Sequence, residues 1–511
     1  MNFKRILAVA LVCVMCVAVL ASCNNGPVQN VRPDGSAGAN IDTQFPAASY
    51  EEEDFTFLVI KHSDAIKDYY GGAFIDSEAM NGGKINDAVF LRNDAVQQKY
   101  VVNIVEDAQV NSDPAVLLQQ YIMSGDFTFD VVYGWGYKLG SCITENYFAD
   151  FNNLETADFT QEYWSPSTIE DLTVGDRLYL SQNEISMNVL DWASFLFYNK
   201  TLAENIRIES EEFGFGSPYD MVDNGTWTYD KFLGMIQAAS QDTDGDSKIT
   251  RNDIFGLLDG NGLGTGSLQN CGIYYTKETE SGYELTLMSE KTLEIVTMVE
   301  DIYSNDRYVK DFEDIWNEEG SDATGFADQW QYARSFFARD HALFCGGSAN
   351  ITSEDAFRNM ESEYGVLPFP KYDQTQEKYN STLDSNASLF ALPSTIRTDM
   401  STASFERTSH ILDYMAFKSH EILLPAYYEE VLKGQRMDDE SDHRMLDIIR
   451  NNVHYEFASM MLADSQGNSP ISDTVTDMFK KPSMARSTYD RNVNKMENAL
   501  DTFYDKVMAL D

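Results

Sequence analysis

Short apolar runs and stretches of helical spacing alternate through the first part of the chain. Phe55-Thr56-Phe57-Leu58-Val59-Ile60 is rich in β-formers and reads as a buried strand. After a glycine-containing loop, Ile85, Val89, Val96 and Tyr100 recur at helical spacing, and Val101-Val102-Asn103-Ile104-Val105 reads as a second strand. The amphipathic stretch Pro114 to Ser124 then leads into a third, Phe129-Asp130-Val131-Val132-Tyr133. Strand, helix, strand, helix, strand predicts an α/β fold with a doubly wound, mostly parallel sheet. Ligands of such sheets sit beyond the carboxyl ends of the strands. That rule points to residues 61–70 and to Tyr133-Gly134-Trp135-Gly136-Tyr137, read as running out of the third strand into a loop.

Further on, Ser194-Phe195-Leu196-Phe197-Tyr198-Asn199-Lys200 is another sheet-like run, and helices are expected near 229–240 and 292–305. From about Met400 the pattern is predominantly helical. Val493, Met496, Leu500, Phe503 and Val507 form a stripe three and four residues apart, expected to dock on the chain's own core in preference to a partner. The chain has no internal repeat of 20 to 50 residues. Its one low-complexity piece is Gly260 to Gly266, where no Gly-Lys-Ser/Thr follows and no helix is expected to open after a parallel strand, so it reads as a surface loop and not a nucleotide site.

Charge narrows the function. Against 82 acidic residues stand 37 basic ones, a net −45 over 511 residues, and phosphates of nucleic acids need the opposite sign. Polyanions and anionic membrane surfaces are disfavoured likewise. With 43% hydrophobic residues the chain can still build real cores. Residues 1–22 carry Lys4 and Arg5, no acid, and an apolar run from Ile6 to Ala21, shorter than the ~20 residues of a spanning helix. This is the layout of a secretory signal. Its end, Leu20-Ala21-Ser22-Cys23, resembles a bacterial lipoprotein lipobox. That resemblance implies cleavage before Cys23, lipidation of its thiol, and a mature net charge of −47 once Lys4 and Arg5 are gone. Residues 23–53, opening in Asn, Gly, Pro, Ser and Ala and closing on acids, read as a flexible tether with a reach on the order of 30 Å. Cys142, Cys271 and Cys345 remain, too widely spaced for a disulfide framework or a metal knuckle, and are expected as small buried hydrophobes.

The sharpest motif runs from Asp242 to Asp253. Calcium takes six to eight oxygens, which a 12-residue loop supplies from positions 1, 3, 5, 7, 9 and 12. Here these are Asp242, Asp244, Asp246, the carbonyl of Lys248, Thr250 and Asp253. Ser247 stands where glycine usually makes the turn, and Asp253 where a longer glutamate is usual; the alternative is a solvated acidic turn. No Gly-x-Ser-x-Gly elbow and no His-Glu-x-x-His helix is present, and six scattered histidines make no metal cluster. Rings beside small or polar residues suit carbohydrate, whose apolar face a flat ring covers while amides and carboxylates bind hydroxyls. Three places fit: Trp135, Gly136 and Tyr137; Asn188, Asp191 and Trp192; and Gly346-Gly347 at the end of an apolar run.

Taken in order, the lipobox, the first strand, Phe129-Asp130-Val131-Val132, Phe197-Tyr198-Asn199-Lys200, Thr226-Trp227-Thr228-Tyr229-Asp230, the Asp-rich loop with Phe255-Gly256, Tyr364 to Lys371, Ala391-Leu392-Pro393 and Pro425-Ala426-Tyr427-Tyr428 resemble the extracellular solute-binding proteins of family 1, lipoprotein receptors of ABC importers. The resemblance implies a two-lobed periplasmic-binding-protein-like fold with hinge strands near 184–190 and 379–390. Lobe 1 would hold 54–187 and 383–437, lobe 2 would hold 188–382, and a helical part at 438–511 would lie mainly with lobe 2. It further implies a monomer without catalysis, anchored through lipid to the outer face of the cell membrane. Such a receptor captures a sugar or oligosaccharide between its lobes and passes it to a membrane permease. The competing expectation is a surface-anchored glycan hydrolase or lyase, since paired carboxylates must occur somewhere among so many acids.

Overall fold

The computed structural model describes residues 44–510, apart from 62–74, 78, 111–112, 126–127, 261–263, 265, 305–306, 319–324, 327, 399–401, 432–439 and 465. The signal segment at 1–22, Cys23, the tether as far as residue 43, nearly all of the 61–70 loop and 432–437 therefore lie outside the described residues. The chain separates into two compact units, Met1–Ala48 and Ser49–Asp511. Only 44–48 of the first are described, and the second carries everything that follows.

Its strands are β1 (Glu53–Lys61), β2 (Val102–Val110), β3 (Val131–Trp135), β4 (Phe148–Ala149), β5 (Leu180–Ser181), β6 (Phe195–Asn199), β7 (Phe255–Asp259), β8 (Thr276–Thr279), β9 (Gly282–Leu285), β10 (Val309–Asp311), β11 (Ala342–Gly347), β12 (Tyr364–Leu367), β13 (Ser381–Thr382), β14 (Ser388–Pro393) and β15 (Val453–His454). Two mixed sheets organise them. The first runs β2-β1-β3-β14-β4, with β5 also on β14; the second runs β10-β7-β11-β6-β12. Small pairs β8-β9 and β13-β15 complete the set. The chain thus leaves the first sheet after Ser181, enters the second at Phe195, and returns between Leu367 and Ser388.

Both strand–helix–strand units expected in the first sheet are present, with β1 parallel to β2 and to β3. Central β1 buries Phe55, Phe57, Leu58, Val59 and Ile60, as a strand with neighbours on both sides and covered faces should. At the edge, β2 alternates buried Val102 and Ile104 with exposed Asn103. Helix Lys84–Tyr100 buries Val89, Val96 and Tyr100. Helix Pro114–Ser124 begins where Asp113 accepts from the amide of Ala115 at 3.0 Å and ends at Gly125, whose φ of 68° suits glycine. The long last helix, Ala485–Met508, buries Met496, Leu500, Phe503 and Val507, and Phe503 meets Phe457 edge to face at 5.6 Å. The stripe is therefore core. Cys142, Cys271 and Cys345 are free and buried, with burial raising all three thiol pKa values. Among the described residues no helix is long and apolar enough to cross a membrane.

Two local expectations need correction. Gly134 and Trp135 are not in a loop: β3 continues through them because β14 pairs with it antiparallel, Ser388 opposite Trp135 and Leu389 opposite Gly134. A helix, Gly136–Gly140, follows at once. The glycine-rich segment after Asp259 also departs from its reading. It follows β7, which is parallel to β10 and β11, and helix Gly266–Asn270 comes after it. Pairing with strands distant in sequence decided both, and local composition carries no record of that.

Candidate ligand-binding site

A cavity of about 520 Å³ opens where β7 and β11 end, against both segments that pass between the sheets. Parallel β7 and β11 bring Asp259-Gly260 and Gly346-Gly347 to one side of the second sheet, the carboxyl-end position at which α/β proteins hold ligands. The first crossing contributes Trp192 and Ser194, the second Phe369 and Thr382 to Asn386, and Glu456 and Ser459 close the wall.

Close approach explains the two glycines. A Cβ on Gly260 would stand 2.3 Å from the Trp330 ring and 2.4 Å from Phe312, and one on Gly346 would crowd the Asp259 carboxylate. The Tyr303 hydroxyl donates to that same carboxylate. Trp330 packs edge-on against Phe312 at 5.5 Å. Trp192 and Trp330 remain half-buried while Phe312, Phe369 and Tyr275 are buried, so among the described lining residues the two indoles are the ring surfaces left for a ligand. Arg334 Nη2 lies 3.0 Å from Glu354 Oε1, both buried, and burial raises the Glu354 carboxyl to about 7 against the pull of Arg334. Burial likewise raises Glu456 to about 7, opposed by the amides of Ser459 and Tyr275, which its oxygens accept at 3.0 and 3.3 Å. Rings, carboxylates and amides together can cover a sugar face and bind its hydroxyls.

Of the residues singled out in the sequence, Trp192, Gly346 and Gly347 line this cavity. Asn188 and Asp191 stand in the same short helix as Trp192 but are turned to other work. Asn188 Oδ1 accepts from the Ser388 amide at 2.6 Å, tying the first crossing to β14, and Asp191 accepts from the Tyr427 hydroxyl. Burial lifts the Asp191 carboxyl to about 7 even with that bond. Trp135, Gly136 and Tyr137 lie outside the lining but border it: the amides of Gly136 and Tyr137 donate to the carbonyls of Ala387 and Ser385 at 2.9 and 3.3 Å. Lys138 Nζ sits 4.2 Å over the Trp135 ring, and Tyr137 lies near-parallel to it at 6.4 Å. Asp259, Gly260, Trp330, Arg334 and Glu456 were not anticipated. Asp259-Gly260 had a usable signal, an apolar run ending in an acid and glycine, whereas Trp330 and Glu456 had none.

In the Asp-rich loop, carboxylate oxygens of Asp242, Asp244 and Asp246 lie within 4.8 Å of one another. Ser247 makes the turn that glycine usually makes, at φ 68°. Asp253, in contrast, is buried and faces its own loop: Oδ1 accepts from the Thr243 amide and Oδ2 from the Thr250 amide, each at 2.8 Å. Burial works against ionisation there, and these donors outweigh it to hold its pKa low. The Lys248 side chain is exposed, as a position that offers only its carbonyl allows.

No protein-family model and no curated protein sequence matches the chain. Solved structures do. An ABC transporter solute-binding protein from Thermotoga lettingae bound with α-D-tagatose matches at TM-score 0.50 and 12% identity over 88% of this chain and 100% of its own. A cyclo/maltodextrin-binding protein complexed with maltotetraose matches at 0.51 and 13%, over 88% and 97%. A sugar transporter from Rhizobium etli in an open conformation matches at 0.51 and 12%, over 90% and 100%. At these identities the likeness speaks for the fold: the chain is an α/β protein of the two-lobed periplasmic-binding-protein type.

Proposed function

We propose that the chain is the extracytoplasmic substrate-binding component of an ABC importer, that it captures a sugar or short oligosaccharide in the cavity beside the two crossings, and that it delivers it to a membrane permease. The observation that carries this reading is the cavity itself, with two half-buried indoles among carboxylates and amides at the carboxyl ends of β7 and β11. The solved proteins of this fold that are named with tagatose and maltotetraose support it. Trp192, Trp330, Gly346 and Gly347 would touch the ligand. Asn188 and Asp191 would brace the crossing, and Trp135 to Tyr137 would flank the cavity mouth. Contacts with both lobes favour the closed state, which a permease can read.

Lipid attachment at Cys23 would hold a monomer at the outer face of the membrane. A thermal-shift screen over saccharides tests the central reading: a binding protein gains melting temperature with its sugar and leaves it intact. Reducing ends accumulating over time would replace it with a glycan-degrading enzyme. Intact-mass measurement of membrane-extracted protein tests the anchor, which predicts diacylglycerol on Cys23.

The Asp-rich loop is proposed as a structural calcium site. Asp242, Asp244 and Asp246 already converge, the Lys248 carbonyl and Thr250 stand at their expected positions in sequence, and Asp253 would contribute by turning away from Thr243 and Thr250. Calcium there would supply a positive centre that pins an otherwise self-repelling turn.

A further inference from the structure

We infer that the cavity sorts saccharides by charge, accepting uncharged or amine-bearing ones and rejecting those that carry carboxylate, sulfate or phosphate. The inference rests on the saccharide reading above and adds the class of sugar. Among the described lining residues three are acids, Asp259, Asp384 and Glu456, and one is basic, Arg334. No lysine or histidine is among them. The one guanidinium among the described lining residues already has a partner, 3.0 Å away in buried Glu354, so an incoming anion would have to compete with Glu354 for it.

The three carboxylates stand on separate parts of the wall. Asp259 ends β7, exposed Asp384 belongs to the second crossing, and Glu456 precedes helix Phe457–Met461. An anionic ligand turned away from Asp259 would still meet exposed Asp384, and Glu456, whose carboxyl burial raises to about 7, adds its own charge as it ionises above that pH. Walls that exclude water strengthen like-charge repulsion, and the whole chain's −45 adds to it. A hydroxyl or ammonium group meets the opposite situation, because a carboxylate accepts from either. Asp384 Oδ1 takes the amide and side-chain nitrogens of Asn386, at 2.8 and 2.7 Å, which fixes this acid at the rim. Repulsion of this kind is how specificity is set against close analogues of equal size.

Two measurements on the full mature chain test the inference. Fluorescence quenching by caesium and by iodide reads the cavity's polarity without any ligand, and the difference between wild type and Trp330→Phe isolates Trp330. With each ion's quenching constant divided by its value for N-acetyltryptophanamide, caesium should reach this component several-fold better than iodide, and Asp384→Asn, at an exposed position, should narrow the gap. In parallel, thermal shift and calorimetry compare trimers of glucose and of glucosamine with trigalacturonate and a sulfated heparin disaccharide. Binding confined to the uncharged or amine-bearing sugars supports the inference. An acidic sugar that binds within about threefold of its neutral counterpart, or equal normalised quenching by the two ions, overturns it. Strong caesium preference with no sugar bound on a wider saccharide screen would sink the saccharide reading and leave the charge selection standing.

Discussion

Gly346 makes room for Asp259: a Cβ on the glycine would stand 2.3 Å from Oδ1 of the aspartate. The glycine's backbone angle does not demand its type, so the crowding alone does. Gly346→Ala should displace the carboxylate, weaken saccharide binding by about tenfold or more and lower stability by about 1–3 kcal/mol. Calorimetry and urea denaturation read the two effects. Gly347→Ala should do less to binding, because its Cβ would meet the tip of Ile351 at 2.6 Å, and a side-chain end can move.

Several buried carboxyls share one pH dependence. Asp191, Glu354 and Glu456 are each raised to about 7, burial being the first cause in all three. A raised folded pKa means the native state holds its proton longer than the unfolded chain does. Stability is therefore present at low pH and lost as pH climbs from about 4 through about 7. The urea midpoint should fall between pH 5 and pH 8, and Asp191→Asn should make that fall shallower. A midpoint that rises over this range would contradict the assignment.

His420 adds a sharper signal of the same sign. Its Nδ1 lies 2.8 Å from Glu184 Oε2, and that hydrogen bond raises the imidazole pKa in spite of burial and nearby Arg450. The contribution is complete below the unfolded histidine's value near 6.5 and disappears as pH rises through the folded value. Titration of the His420 ring by NMR should give a midpoint above 6.5, and Glu184→Gln should lower it.

Chelation tests the Asp-rich loop. With EGTA the melting temperature should drop, calcium should restore it, and Asp244→Ala should remove the response altogether. Indifference to chelator would leave the loop a solvated turn.

The last helix should behave as core. Leu500→Ala is expected to cost about 2–5 kcal/mol in urea denaturation, as truncation of a buried leucine does, with no change in oligomeric state by light scattering.

Much of the first sheet was legible because its order is local. Apolar run, helical spacing and apolar run again are properties of consecutive residues, and β1, β2, β3 and the two helices between them follow from that. Trp192 and the Gly346-Gly347 pair were legible as ring and glycines beside polar groups. The partners of those residues were not. Asp259 meets Gly346 and Trp330 meets Gly260 only after the second sheet has assembled, and nothing in the neighbourhood of either residue encodes the encounter. Trp135 shows the converse: its local setting suggested an open loop, yet pairing with Ser388 drew it into a strand and Lys138 settled over its ring.

That pairing also has a consequence in time. Trp135 and Gly134 wait for Ser388 and Leu389, made about 250 residues later. At about 5–20 residues per second, β3 would spend on the order of 10–50 s of synthesis with one edge unpaired. An open apolar edge is a template for pairing with other chains. The half-made protein is thus most vulnerable to aggregation before β14 emerges, and a holding chaperone, or delayed folding, would protect it most during that interval.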